Sequence, residues 1–157
     1  MKPLIAETSI TINAPIEKVW EVMLDTSTYP KWNPFVIRAE TTGKVAQTGT
    51  RMLLFVKWKN GKQETSDELI TEVQPPNNAG GIKKAHWAYR FIGKLHYLRL
   101  VRAIRYQWLE EGPEGNTNYR TREQFSGLLS GFVPLADVQD GFERQAKALA
   151  EYLNQKA

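Results

Sequence analysis

The sequence predicts an α+β domain in which an antiparallel sheet wraps around a long C-terminal helix. Strand-like runs separated by short turns fill the middle of the chain, and an apolar stripe with helical spacing follows near its end. Short turns between consecutive strands favour antiparallel pairing. Because the helix has one apolar face to cover and the sheet is the only large surface available, we expect the helix to lie on the sheet.

The N-terminal part predicts a strand followed by one or two short helices. Ile10 and Ile12 alternate with polar residues, which is typical of a half-buried strand. A helix with Pro15 in its first turn comes next. Residues 25–32 indicate one more helical turn, which we expect to end at Pro30. The apolar face of the first helix consists of Ile16, Val19, Trp20, Met23 and Leu24.

Six further strands bring the predicted sheet to about seven. They lie near residues 35–41, 51–58, 64–74, 86–92, 99–110 and 117–126. Turn-forming Gly, Pro and Asn residues separate them. From Pro134 to about Asn154, apolar residues recur every three or four positions, which predicts a helix roughly 30 Å long. Its apolar stripe consists of Leu135, Val138, Phe142, Ala146, Leu149 and Leu153.

Length and hydropathy limit the class of protein. A chain of 157 residues with 41% hydrophobic residues suits a single domain, which we place at residues 1–157. No apolar run approaches the roughly 20 residues that cross a bilayer, so we expect no membrane span. Glu7 interrupts the N-terminus before the apolar core of a signal peptide forms, which predicts a cytoplasmic protein.

The residue types present restrict the chemistry further. The chain has no cysteine, which excludes disulfides, iron–sulfur clusters and thiol catalysis. His86 and His96 are its only histidines, so we expect no metal centre and no cofactor. The 21 basic residues are interleaved with 17 acidic ones. The basic clusters beside Trp58 and before Trp87 fall on separate turns, so we expect no nucleic-acid partner.

Alternation along the later strands predicts an inner wall of aromatic side chains. Trp87, Tyr89 and Phe91 share one face of their strand. On the next strand we place the large apolar residues inward, namely Ile104, Tyr106 and Trp108. On the last strand the residues predicted to point inward are Thr117, Tyr119, Thr121 and Glu123.

The carboxyl of Glu123 needs a specific environment if it points inward. Pairing the strands across the turn at residues 112–115 places Glu123 opposite Ile104, with Arg102 on the same face and within diagonal reach. An unpaired buried carboxylate is costly. We therefore expect Glu123 either to pair with Arg102 or to have a raised pKa.

The inner wall has two interpretations at this point. Aromatic side chains are core residues more often than not. Hydroxyls and a carboxyl beside Trp and Phe are instead typical of a binding pocket. Two further acidic groups are candidate catalytic pairs, Asp67 and Glu68 with Glu72, and Glu110 with Glu111. Both groups are predicted at strand ends or near turns, where exposed acids are expected.

Several motifs resemble one superfamily over nearly the whole chain. They are residues 12–15 leading into Val19 and Trp20, the stretch 29–35, the stretch 123–129, and Gly141-Phe142 in the last helix. They are similar to motifs of the helix-grip SRPBCC superfamily, which includes START-related lipid carriers, Bet v 1 allergens, polyketide cyclases and the Hsp90-activator-like group. The resemblance implies the helix-grip fold.

The resemblance also implies binding of a small hydrophobic or amphipathic molecule, such as a lipid, a polyketide-like compound or an aromatic metabolite. One alternative is an enzyme of the polyketide cyclase or dehydratase type, in which Glu123 acts with Tyr106 or Tyr119 in acid–base chemistry. Another is a protein-interaction module. The residues expected to contact a ligand are Trp32, Phe35, Trp87, Tyr89, Phe91, Arg102, Tyr106, Trp108, Tyr119, Thr121 and Glu123.

The chain departs from the family at one position. Similar bacterial members often carry a Gly-x-His-x-Phe motif before the final hairpin turn. The corresponding residues 101–106 contain no histidine. A catalytic role that depends on this histidine therefore does not carry over.

Overall fold

Residues 2–156, the part of the chain described by the computed structural model, contain a seven-stranded antiparallel sheet. The strands are β1 (Leu4–Ile12), β2 (Val36–Thr41), β3 (Arg51–Lys57), β4 (Gln63–Ala79), β5 (Ile82–Phe91), β6 (Arg102–Glu111) and β7 (Thr117–Ser126). Their order across the curved sheet is β1-β7-β6-β5-β4-β3-β2. Each pair of consecutive strands from β2 to β7 is adjacent, and β1 closes the other edge against β7.

Within the same described residues, four α-helices connect or follow the strands. They are α1 (Ile16–Leu24), α2 (Tyr29–Trp32), α3 (Lys94–Tyr97) and α4 (Leu135–Gln155). The sequence predicted that a helical turn ends at Pro30. Pro30 instead lies in the first turn of α2. Its missing amide proton costs little there, because first-turn amides have no partner inside the helix. No helix within residues 2–156 is long and apolar enough to span a membrane.

The long helix α4 lies on the inner face of the sheet. Its buried stripe includes Val138, Phe142, Ala146, Leu149 and Leu153. At the sheet edge, Gln139 bonds the backbone of Glu7, with its amide nitrogen 2.8 Å from the Glu7 carbonyl and its oxygen accepting from the Glu7 N–H at 2.9 Å. These two hydrogen bonds satisfy backbone groups of the edge strand β1 that have no neighbouring strand on that side. The predicted helix-grip architecture is confirmed.

Strand β6 faces the opposite way from the prediction. Glu123 pairs with Arg105 rather than with Ile104. A slip of one residue exchanges the two faces of a strand. Tyr106, Trp108 and Arg102 therefore lie on the outer face of the sheet, and the buried inner residues of β6 are Ala103, Arg105, Gln107 and Leu109.

Strands β4 and β5 form a longer hairpin than the sequence indicated. Pro75 and Pro76 do not end β4, because the pairing shifts between Gln74 and Asn77 and leaves the two prolines outside the regular ladder. The chain reverses at Gly80 and Gly81, where φ is +74° and +88°. Glycine adopts such angles without steric cost.

Candidate functional site

A cavity of about 470 Å³ opens at one end of the sheet. The inner faces of β4 to β7 form its floor, and α3 and the connection from β7 to α4 form its walls. Most of the lining is apolar, and two carboxyl groups point into it. The lining residues are Ser66, Glu68, Phe91, Leu95, Val101, Ala103, Glu123, Phe125, Leu129, Phe132, Val133 and Pro134.

Glu68 is the more deeply buried of the two carboxyl residues, with only 5% of its surface exposed. Ser66 Oγ donates to Glu68 Oε1 at 2.6 Å, and within residues 2–156 the second carboxyl oxygen accepts no hydrogen bond. Burial, followed by the charge of Glu123, raises the pKa of Glu68 well above its ordinary value. The expectation of an exposed acid at a strand end was wrong, because β4 continues on both sides of Glu68.

Glu123 is half-buried on the inner face of β7, as the alternation predicted. Burial raises the pKa of Glu123 to about 7, and the nearby positive charge of Arg105 opposes that rise. The expected pairing with Arg102 was wrong, because Arg102 is exposed on the outer face and pairs with Ser126 in the ladder. A carboxyl with this pKa changes its charge near neutral pH.

Behind the cavity, Arg105 is buried with 3% of its surface exposed. Its Nε donates to Thr121 Oγ1 at 2.9 Å, and its two terminal nitrogens donate to Tyr89 Oη and Gln145 Oε1, both at 3.1 Å. Its guanidinium carbon lies 4.0 Å from the centroid of the Phe142 ring. The Arg105 side chain thus links β5, β6 and β7 to α4. All of the groups that accept its hydrogen bonds are neutral.

A second buried polar pair lies farther from the cavity. Tyr119 Oη donates to Gln107 Oε1 at 2.7 Å, and both residues are almost fully buried. Burial raises the pKa of the Tyr119 hydroxyl. This bond explains why Gln107 points inward on β6, and it occupies the Tyr119 hydroxyl, which the sequence suggested as a catalytic partner of Glu123.

Few of the predicted contact residues line the cavity. Phe91 and Glu123 do. Trp87 is in the core, and Tyr89 and Thr121 bond Arg105. The remaining predicted residues lie outside the cavity.

Two of these residues contact α4 instead. The Trp32 ring stacks on Tyr152 with centroids 6.1 Å apart, and the Phe35 ring packs edge-on against Phe142 at 5.9 Å. On the outer face, Tyr106 and Trp108 stack on each other at 5.2 Å. The aromatic residues predicted to contact a ligand are therefore divided between the cavity, the core, the helix contact and the outer surface.

The sequence placed Glu68 in a candidate acidic group but among exposed acids, and it did not indicate the apolar walls contributed by α3 and residues 127–134. A signal for Glu68 existed in the alternation of Ser66, Glu68 and Ile70, since buried Ile70 marks the inner face of β4. No periodic signal marks the wall segments, because α3 is a single helical turn and residues 127–134 lie between β7 and α4. Among residues 2–156, no group of three or more His, Cys, Asp or Glu residues is arranged to hold a metal ion.

Solved structures share this fold at low sequence identity. Norcoclaurine synthase from Thalictrum flavum, in complex with dopamine and hydroxybenzaldehyde, has a TM-score of 0.69 at 12% identity, covering 99% of this chain and 89% of the synthase. A START superfamily protein from Mycobacterium smegmatis has a TM-score of 0.69 at 16% identity, covering 98% and 99%. Ara h 8.0201 has a TM-score of 0.65 at 16% identity, with coverage of 98% and 99%.

The family model confirms the resemblance found in the sequence motifs. No curated protein matches the chain significantly. The model described as polyketide cyclase / dehydrase and lipid transport matches residues 3–154. SRPBCC membership is thereby confirmed, and the chain belongs to the polyketide cyclase / dehydrase and lipid transport family.

Proposed function

We propose that the protein binds a small hydrophobic or amphipathic molecule in the cavity, with Glu68 and Glu123 as polar anchors. The observation that carries this proposal is a mostly apolar cavity of about 470 Å³ with two carboxyl groups at its inner side. Ligand sites commonly have roughly 300 to 1,000 Å³ and an apolar lining with a few polar groups. The family description, which includes lipid transport, supports the same function.

The two carboxyl groups also favour one kind of polar group on the ligand. A ligand carboxylate would add a negative charge beside Glu123, which is partly ionised near neutral pH, and Arg105 has its three donor nitrogens engaged by neutral partners. A hydroxyl or an ammonium group can instead donate to the free carboxyl oxygens. We therefore expect an apolar ligand with a hydrogen-bond donor at one end.

A matched series of ring compounds tests this function. Naphthalene methanol, naphthalene methylamine and naphthoate have the same apolar body and differ in the polar group. We expect the alcohol and the amine to raise the melting temperature more than the acid does. Free ligand at 100 times its Kd stabilises the folded state by about 2.7 kcal/mol.

Variants of the cavity complete this test. Ala103→Phe, which fills the cavity floor, should abolish the shift, while Glu111→Gln at the exposed end of β6 should retain it. A broad library of lipids and aromatic compounds that leaves the melting temperature unchanged would contradict ligand binding. An equal shift with the acid and the alcohol would contradict only the role of the carboxyl groups.

A second candidate function is proton transfer on a bound ring, and the pKa of Glu123 favours it. A carboxyl with a pKa of about 7 is present in both protonation states near neutral pH, which suits a general acid or base. Tyr106 lies on the outer face and Tyr119 is bonded to Gln107, so Glu68 is the partner that shares the cavity with Glu123.

Hydrogen exchange at a carbon acid separates the enzyme from the carrier. We expect an enzyme to accelerate deuterium exchange at the carbon next to the carbonyl of β-tetralone, measured by NMR. Glu123→Gln should abolish the acceleration, and Glu111→Gln should retain it. Binding of β-tetralone without exchange above the buffer rate would support the carrier alone.

A further inference from the structure

The most exposed large apolar side chains of the described chain lie in the two segments that form walls of the cavity. These segments are α3 with the residues that follow it and the connection from β7 to α4. Water-exposed apolar groups of this size concentrated at one place indicate an interaction surface. The four most exposed are Tyr97, Leu98, Leu128 and Phe132, with 67% to 84% of their surface accessible.

Backbone contacts hold the two segments against each other. The Leu129 N–H donates to the Leu100 carbonyl at 2.8 Å. Gly127 has φ +110°, and a Cβ at this position would lie 2.5 Å from the Leu100 oxygen. The close approach therefore requires glycine. Because the two segments are fixed to each other, their apolar side chains are presented outward as one surface.

A groove lined by basic residues lies beside Leu128. Lys2, Arg99 and Arg102 line it together with the hydroxyl residues Ser126 and Ser130, and no acidic residue contributes to the lining. Within residues 2–156, none of the three basic side chains forms an ion pair with a carboxylate. Free guanidinium and ammonium groups suit the oxygens of a phosphate group, whereas the buried Ser130 hydroxyl already donates to the Gly127 carbonyl at 2.8 Å.

We propose that this end of the protein docks on a membrane surface containing anionic phospholipid. Leu128 and Phe132 enter the interfacial layer, and the groove of Lys2, Arg99 and Arg102 binds lipid phosphate. Apolar side chains and adjacent basic residues are the combination that holds a protein at an anionic lipid surface. Docking requires only this surface and does not depend on what the cavity holds.

Docking in this orientation would turn the cavity mouth toward the lipid. Leu95 and Phe132 line the cavity and also belong to the exposed surface around it. An apolar ligand could then move between bilayer and cavity without crossing bulk water.

Sedimentation with vesicles tests the docking surface. We expect the full chain to bind vesicles of phosphatidylcholine and phosphatidylserine at least tenfold more tightly than vesicles of phosphatidylcholine alone. Salt near 1 M, where the screening length is about 3 Å, should remove this preference. A soluble headgroup, glycerophosphoserine, should not replace the vesicle, because it offers no apolar layer.

Matched variants locate the surface. Leu128→Ser with Phe132→Ser should weaken vesicle binding at least tenfold, and so should Arg99→Gln with Arg102→Gln. Ile82→Ser, at the opposite end of β5, is the apolar control. Lys44→Gln with Lys59→Gln is the charge control, and both controls should bind as the wild type does. Circular dichroism confirms that each variant is folded.

Three results would overturn the proposal. They are equal binding to neutral and anionic vesicles, no binding to either, and control variants that lose as much binding as the surface variants. If vesicles do not bind, the exposed apolar surface is assigned to a protein partner instead. A wild-type chain that binds anionic vesicles but no ligand in the cavity would contradict the proposed function. The docking surface would still be supported.

Discussion

Arg105 and Glu123 are register partners in the pairing of β6 with β7, and both point to the inner face of the sheet. Arg105 nevertheless donates its hydrogen bonds to three neutral groups, on Thr121, Tyr89 and Gln145. Glu123 faces the cavity and keeps its carboxyl oxygens available. The arrangement places a positive charge near the site without neutralising the carboxyl by a direct ion pair.

The raised pKa of Glu123 makes the stability of the fold depend on pH. Its pKa is about 7 in the folded protein and 4.5 as the ordinary value. Folding therefore takes up a proton between these pH values, so the stabilisation is complete below the lower pKa and is lost as pH rises through the higher one. Glu68, whose pKa is also raised, acts in the same direction.

Glu123→Gln should flatten this dependence, since an amide does not titrate. From about pH 5 to about pH 8, the wild type should lose up to about 3 kcal/mol of unfolding free energy that the variant does not lose. One pKa unit corresponds to about 1.4 kcal/mol. Urea unfolding at the two pH values measures the difference. Glu111→Gln is the control, and a wild type as stable at the higher pH as at the lower would contradict the raised pKa.

Arg105→Lys should destabilise the fold even though it retains the charge. A lysine ammonium cannot reproduce the planar donor geometry that reaches Thr121, Tyr89 and Gln145 together. Buried polar groups left without a partner cost about 1 to 3 kcal/mol each, so we expect a loss of about 2 to 4 kcal/mol in urea unfolding. Arg51→Lys at the exposed start of β3 is the matched control and should change stability by less than about 0.5 kcal/mol.

The architecture could be predicted from the sequence because it depends on periodicity. The predicted apolar stripe of α4 is buried from Val138 to Leu153, and the strand alternation ending at Glu123 gives the observed inner face of β7. Both patterns follow from local geometry, since side chains repeat every 3.6 residues in a helix and every two in a strand. No long-range information was required for either.

The site could not be predicted to the same extent because it depends on partners distant in sequence. On β6, hydropathy favours Tyr106 and Trp108 inside. Arg105 is inside because Gln145 on α4 accepts one of its hydrogen bonds. Gln107 is inside because Tyr119 on β7 donates a hydrogen bond to it. Alternation gives two faces, and only the tertiary partners decide which face is buried.

Trp32 provides a test of the contact between α2 and α4. The side chain is 9% exposed, stacks on Tyr152 and donates from Nε1 to Thr28 Oγ1 at 3.1 Å. Trp32→Ala should cost about 3 to 5 kcal/mol, as for other large truncations in a core. Tyr97→Ala, at an aromatic residue that is 70% exposed, should cost less than about 0.5 kcal/mol. Similar losses in the two variants would contradict the burial of Trp32.

Gly141 tests how closely α4 approaches the strand side of the core. A Cβ at this position would lie 2.4 Å from two atoms of the Phe35 ring, which already packs against Phe142 and Trp58. Alanine is better than glycine in a helix by about 1 kcal/mol. Overpacking a core costs about 1 to 3 kcal/mol. Because the Phe35 ring is held on two sides, we expect the steric cost to exceed the gain in helix propensity.

Gly141→Ala should therefore lower the free energy of unfolding by about 1 to 2 kcal/mol in urea. Gly131→Ala is the matched control, since nothing lies within 4 Å of a Cβ there and the change should be close to neutral. Phe35→Leu should remove most of the clash, so the effect of Gly141→Ala should be smaller in that background than in the wild type. A double-mutant cycle measures this coupling. An additive cycle, or a Gly141→Ala variant more stable than the wild type, would show that Phe35 moves aside and that α4 does not need glycine at this contact.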